Sequence, residues 1–227
     1  PPAASPPPHV FWLRAMLCGT VVGFEFCLAY YAAPELTSVA GLSDGQASAA
    51  LAAFYGGELA GRLAGSRLTA GRGRSAPPLV AGALALAAAG FLLLWLSTVA
   101  WLALPALALA GLGVANLFPL TLSLAVSAVG TEGGESTEGR ESAGSTDRAG
   151  STDRATARVQ LLVSSCIMLA PLLLGTLSDR LGVRTAFGLA GCLLPLAALL
   201  LAAAGRQPSA PVPEPSLAPG VPAHADH

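Results

Sequence analysis

The sequence predicts an all-α membrane protein whose six transmembrane helices form one bundle. Six apolar stretches carry that expectation, at 10–33, 47–66, 77–97, 99–128, 158–177 and 183–204. Each is near the length of about 20 apolar residues that crosses a bilayer. Without water the backbone must bond to itself, so such runs are helices. Composition agrees: 53% of the 227 residues are hydrophobic and only 11% charged, against about 25% charged in a soluble domain. The charges also lie mostly between the runs, so the few inside them stand out.

The elements follow in order. Residues 1–9 begin with prolines, lack an initiator Met and a charged leader start, and read as a linker, so the chain reads as a piece of a longer one. The bundle occupies 10–204. Its first helix holds Gly19 and Gly23 and is expected to end at Pro34, before a polar segment from Thr37 to Gln46. The second ends in a basic stretch from Gly61 to Arg74, closed by Pro77 and Pro78. The third is nearly featureless and is expected to face lipid. Trp95 and Trp101 flank the next turn, as interfacial aromatics do. The fourth is interrupted by Gly111, Gly113, Asn116 and Pro119, and proline kinks a helix by removing one of its bonds. Residues 130–157 repeat Ala-Gly-Ser-Thr-Asp-Arg in tandem and read as a flexible cytoplasmic loop. From 205 to 227 the chain is Pro- and Ala-rich and reads as a disordered tail.

Arginine, the sole basic residue type besides histidine, sets the orientation. Arg14, Arg62, Arg67, Arg72, Arg74, Arg140, Arg148, Arg154, Arg158 and Arg206 fall on one side. Arg180 and Arg184 fall on the other. That asymmetry places both termini in the cytoplasm with an even number of crossings.

Several polar residues invite a chemical reading. Glu25 lies deep in the first helix, where an acid costs roughly 2.5–3.5 kcal/mol on insertion scales. It reads as a proton-coupling or substrate-binding acid, or as a structural acid bonded to a neighbouring helix or to a part of the protein beyond this chain. Arg14 shares its stripe, about 16 Å away, and either reaches the interface or binds an anion at the inner mouth. Asn116, in the kinked fourth helix, can satisfy a freed carbonyl or meet a substrate. Gln160, Ser164 and Ser165 open the fifth helix; Gln160 and Ser164 share a face, and the group either lines a cavity or bonds between helices. Glu58 and Arg62, four apart, face each other and read as a latch or gate. Gly57, Gly61 and Gly65 on the same helix allow close approach of another. Tyr30 and Tyr31 read as interfacial.

Other chemistry is excluded or unsupported. A net charge of −1 gives no case for nucleic acid. There is no phosphate-binding Gly-rich loop ending in Lys-Ser or Lys-Thr, no metal-ligand spacing among Cys18, Cys27, Cys166 and Cys192, and no cofactor motif. The cysteines read as small buried apolar residues. His9, His224 and His227 lie in the terminal segments.

The pattern resembles the C-terminal half of a major facilitator superfamily transporter. The loop after the second helix, Gly61-Arg62-Leu63-Ala64-Gly65-Ser66-Arg67-Leu68, is similar to the family signature Gly-x-Leu-Ala-Asp-Arg-x-Gly-Arg-Arg, but has Gly65 and Ser66 where the Asp-Arg pair stands. A closer textual match, Gly175 to Arg184 with Asp179 and Arg180, falls in an outer turn. It is either the family's Gly-rich close before the last helix or a sign that one span is misassigned. The segment from Gly111 to Pro119 is similar to the family's fourth helix of the second half. The resemblance implies a secondary transporter that moves a small solute by alternating access, driven by protons or by the solute gradient. It implies a multi-pass protein of the cell membrane, a cavity shared with an N-terminal six-helix half, and gating contacts around Glu58, Arg62, Asp179 and Arg180. The alternatives are a membrane enzyme with Glu25 or Glu58 as its acid, and a structural or assembly subunit.

Overall fold

The computed structural model describes residues 8–69, 76–130 and 144–205. Among them are eight helices: α1 Pro8–Ala40, α2 Asp44–Thr69, α3 Ala76–Leu96, α4 Ala100–Val114, α5 Leu117–Gly130, α6 Gly144–Leu181, α7 Val183–Ala190 and α8 Leu193–Gly205. Five stretches are long and apolar enough to cross a membrane: His9–Ala40, Ala76–Leu96, Ala100–Ser127, Asp153–Leu181 and Val183–Gly205. At 26 residues α2 is about 39 Å long at 1.5 Å per residue, but its glycines and charges keep it out of that group.

Several boundaries differ from the sequence reading, each for a local reason. Pro34 does not end α1, which continues to Ala40; one missing N–H removes one bond, and packing retains the rest. The stop comes at Gly41, whose φ of 67° lets the chain turn away. Ser43 and Gln46 then open α2 with a reciprocal cap. The Ser43 N–H donates to Gln46 Oε1 at 3.1 Å, and the Gln46 N–H donates to Ser43 Oγ at 3.3 Å. The fifth apolar run belongs to a helix that already starts at Gly144, inside the expected loop. That helix continues through Asp179 and Arg180, which lie on its last turn. The sixth run breaks at Gly191 and Cys192, which hydropathy did not reveal. Most of the linker, residues 131–143 of the loop, and the tail from 206, with His224 and His227, lie outside the described residues.

Glycine contacts fix the directions of the legs. Gly57, Gly61 and Gly65 of α2 meet Ala108, Leu112 with Ala115, and Asn116 in turn, so α2 and α4 run parallel. Gly90 meets Ala106 and Ala110 while Gly113 meets Ala87, so α3 and α4 are antiparallel. Gly19 and Gly23 of α1 meet Cys166 and Ala170 of α6 in the same order, and these helices are parallel. Trp95 packs on Gly188 and Phe91 on Gly191, setting α3 against α7. The outcome is six legs of alternating direction: α1, α2, α3, α4–α5, α6 and α7–α8. Pro8 and Gly205 lie at the same end of the bundle.

The core centres on α1, with Leu17, Phe24 and Leu28 fully buried. Phe24 meets Phe91 edge-on at 5.5 Å between ring centres, and Phe91 meets Phe187 at 5.2 Å, tying α1, α3 and α7. The third leg is not simply a lipid-facing helix: Val80, Leu84, Ala87 and Phe91 bury one of its faces.

Candidate functional site

Glu25 stands midway along α1, half-buried. Among the described residues it makes no hydrogen bond or ion pair. It faces a cavity of about 450 Å³ whose wall also includes Arg62 of α2, Asn116 at the α4–α5 break, and Gln160 of α6. Four legs, widely separated in sequence, thus deliver one polar side chain each. The rest of the wall is apolar, including Val22, Phe118 and Ile167.

Each group is held by its own neighbours. Arg62 pairs with Glu58 one turn earlier; the carboxylate is buried and the guanidinium largely open to the cavity. Asn116 sits where the helix is interrupted after Val114, and its Nδ2 donates to the Gly61 carbonyl at 2.6 Å. The absence of a side chain at Gly61 and Gly65 lets the amide approach, since a Cβ at either would collide with Ala115 or with Asn116 itself. Thr121, fully buried on α5, donates to the Leu117 carbonyl at 2.6 Å and so uses its hydroxyl within its own helix.

The remaining sequence-selected residues lie elsewhere. Arg14 does not line the cavity; its Nη1 donates to the Leu124 carbonyl at 2.8 Å and to Ser127 Oγ at 3.4 Å, fastening α1 to α5. Ser165 donates to the Leu161 carbonyl, and Ser164 is exposed. Asp179 and Arg180 are exposed on the last turn of α6, remote from the cavity wall. Tyr30 is exposed, whereas Tyr31 donates to the Pro171 carbonyl at 3.1 Å. Trp101 is exposed as an interfacial residue would be, but Trp95 is turned inward. Its Nε1 donates to the Arg184 carbonyl at 3.2 Å, and Arg184 Nη2 donates to the Trp95 carbonyl at 3.2 Å. Cys18 and Cys27 are buried as expected; Cys166 is half-buried and Cys192 exposed, and all four are free.

One group escaped the sequence reading. Glu35, near the far end of α1, is buried, and neither carboxylate oxygen has a hydrogen-bond partner. Arg184 Nη1 lies 3.9 Å from it. The expected helix end at Pro34 hid this residue, because an acid beyond a helix end reads as solvated.

The profile of the Major Facilitator Superfamily matches residues 15–226. The chain belongs to the major facilitator superfamily. It is a multi-pass membrane protein, and its bundle is similar to a crystal structure of the peptide transporter POT, a mutant in complex with alafosfalin. The TM-score is 0.59 at 22% identity, a likeness of fold. The match covers 86% of this chain but 37% of that transporter, so this superfamily member spans little more than a third of its length. No curated protein matches the chain.

Proposed function

We propose that this chain is one six-helix half of a secondary transporter that moves a small solute by alternating access, with proton coupling at Glu25. The reading rests on the convergence of Glu25, Arg62, Asn116 and Gln160 on one cavity between legs. Intramembrane ionisable residues are rare, and those that face a cavity mark substrate and ion pathways. Glu25 has the features of such a residue: it stands at membrane depth, without a partner, beside open space. Arg62 holds Glu58 through one nitrogen, whereas Glu25 has no such pair among the described residues.

In this reading α2 crosses the membrane as a sixth span. It runs beside α4 through three glycines, and a helix that accompanies a membrane span over that length shares its depth. Its Glu58 and Arg62 then sit against neighbouring protein rather than lipid. The arginine distribution puts Pro8 and Gly205 on the cytoplasmic side of the cell membrane. The other wall of the cavity comes from an N-terminal six-helix half. Alternating access follows if the two halves rock around the shared site, with the glycine-lined α2–α4 seam and the Glu58–Arg62 pair at the inner gate.

The test is uptake by the full-length protein in proteoliposomes, with and without a pH gradient. The solute panel includes sugars, weak acids, amines and short peptides. Wild type is expected to accumulate at least one solute against its gradient when protons drive it. Glu25→Gln is expected to lose that accumulation while retaining solute exchange at zero gradient. Unchanged proton-driven uptake by this variant would refute the coupling role.

A further inference from the structure

A second hollow, of about 480 Å³, adjoins the cavity and shares Arg62, Asn116 and Pro119 with it. It lies between α2 and α3, on a floor that includes Leu112 and Leu120. Its outer wall is a stripe of α3, Leu79, Gly82, Ala83 and Leu86, at the spacing of one helix face. That stripe is not the buried one, which runs through Val80, Leu84 and Ala87 and meets α4 at Ala87 and Gly90. The hollow is therefore a gap between two legs, beside the buried stripe of α3.

Polarity and depth say what fits. The polar side chains gather on α2, where Arg62 and Ser66 are exposed one turn apart and Arg67 is exposed just beyond. Apart from Asn116, the rest of the lining is apolar. From the start of α3 at Ala76 to Leu86 is about 15 Å along the axis, half of a hydrocarbon core of about 30 Å. One leaflet has that depth. Arg62, Arg67, Arg72 and Arg74 follow one another closely in the sequence, and such clusters next to membrane helices attract anionic headgroups.

We infer that this groove is a binding site for an anionic phospholipid of the adjoining leaflet. The phosphate meets the Arg62 guanidinium with Ser66 beside it, and one acyl chain lies along the Leu79–Leu86 stripe. Because Arg62 and Asn116 also form the wall of the solute cavity, the lipid touches that wall from behind.

Gly82 supplies a clean probe, since a Cβ there meets nothing within 4 Å. Gly82→Phe places a ring in the acyl path without displacing backbone. The experiment is native mass spectrometry of the detergent-solubilised full-length protein, with phosphatidylglycerol and phosphatidylcholine of identical chains at equal concentration. Wild type is expected to retain phosphatidylglycerol about fivefold over phosphatidylcholine, the preference that about 1 kcal/mol from one surface arginine gives. Gly82→Phe is expected to remove the preferential retention with its melting temperature unchanged, and Arg62→Gln to bind the two lipids alike. Equal retention of both lipids by wild type, as annular lipid would give, overturns the assignment. So does undiminished preference in Gly82→Phe. If the phenylalanine variant does not fold, Gly82→Leu makes the same comparison with a smaller side chain.

Discussion

Glu25 and Glu35 occupy one helix under opposite conditions. Glu25 borders open space, whereas both oxygens of Glu35 are enclosed without a donor and face a guanidinium at 3.9 Å. Removing one member of a buried ion pair strands the other charge. Arg184→Ala is therefore expected to destabilise the protein by about 3 kcal/mol, the low end for such pairs, because Arg184 is 42% exposed. Glu35→Gln removes the stranded charge instead and is expected to cost less. The double variant is expected to recover part of the Arg184→Ala loss. Thermal melting of the three variants in detergent checks the order. These two acids also show what sequence conveys. Glu25 was readable because it interrupts an apolar run. Glu35 was not, because Pro34 imitates a helix end and Arg184 lies far along the chain, in what reads as a turn.

The seam between α2 and α4 is the element on which the cavity wall depends. A Cβ at Gly61 would come within 2.6 Å of the Ala115 Cβ and 2.7 Å of the Leu112 carbonyl oxygen. Gly61→Ala must push the helices apart, and the Asn116 bond to the Gly61 carbonyl stretches with them. We expect a melting temperature lower by several degrees and weakened solute binding. Gly56→Ala on the same helix meets nothing within 4 Å and is expected to be neutral or slightly stabilising, since alanine favours helix by about 1 kcal/mol over glycine. Equal effects of the two substitutions would mean that the seam is not under close contact. The four-residue glycine spacing announced this contact in the sequence, and Gly111 with Pro119 announced the break near Asn116. The break at Gly191 gave no such notice, because the residues around it are as apolar as the helices they join. Trp95 was likewise misjudged from its place at a helix end, since its partner Arg184 is distant in sequence.

At the scale of the molecule, the alternation of legs can be tested directly. In a variant whose four cysteines are replaced by serine or alanine, Ser43→Cys marks the α1–α2 turn and Arg67→Cys marks the end of α2. An impermeant thiol reagent is expected to label Ser43→Cys in intact cells, and Arg67→Cys only after permeabilisation. Labelling of both from one side would mean that α2 does not cross. All six legs were read from apolar runs in the sequence; α2 is the one outside the five stretches long and apolar enough to cross a membrane, because the glycines and the ion pair that suit it to α4 dilute its apolar character. The return of Gly205 to the end where Pro8 begins has a consequence for assembly. A body with an even number of legs hands the polypeptide back on the face where it received it. Two such bodies can be concatenated in either order, or made as separate chains that find each other in the bilayer, and neither arrangement turns a single leg upside down.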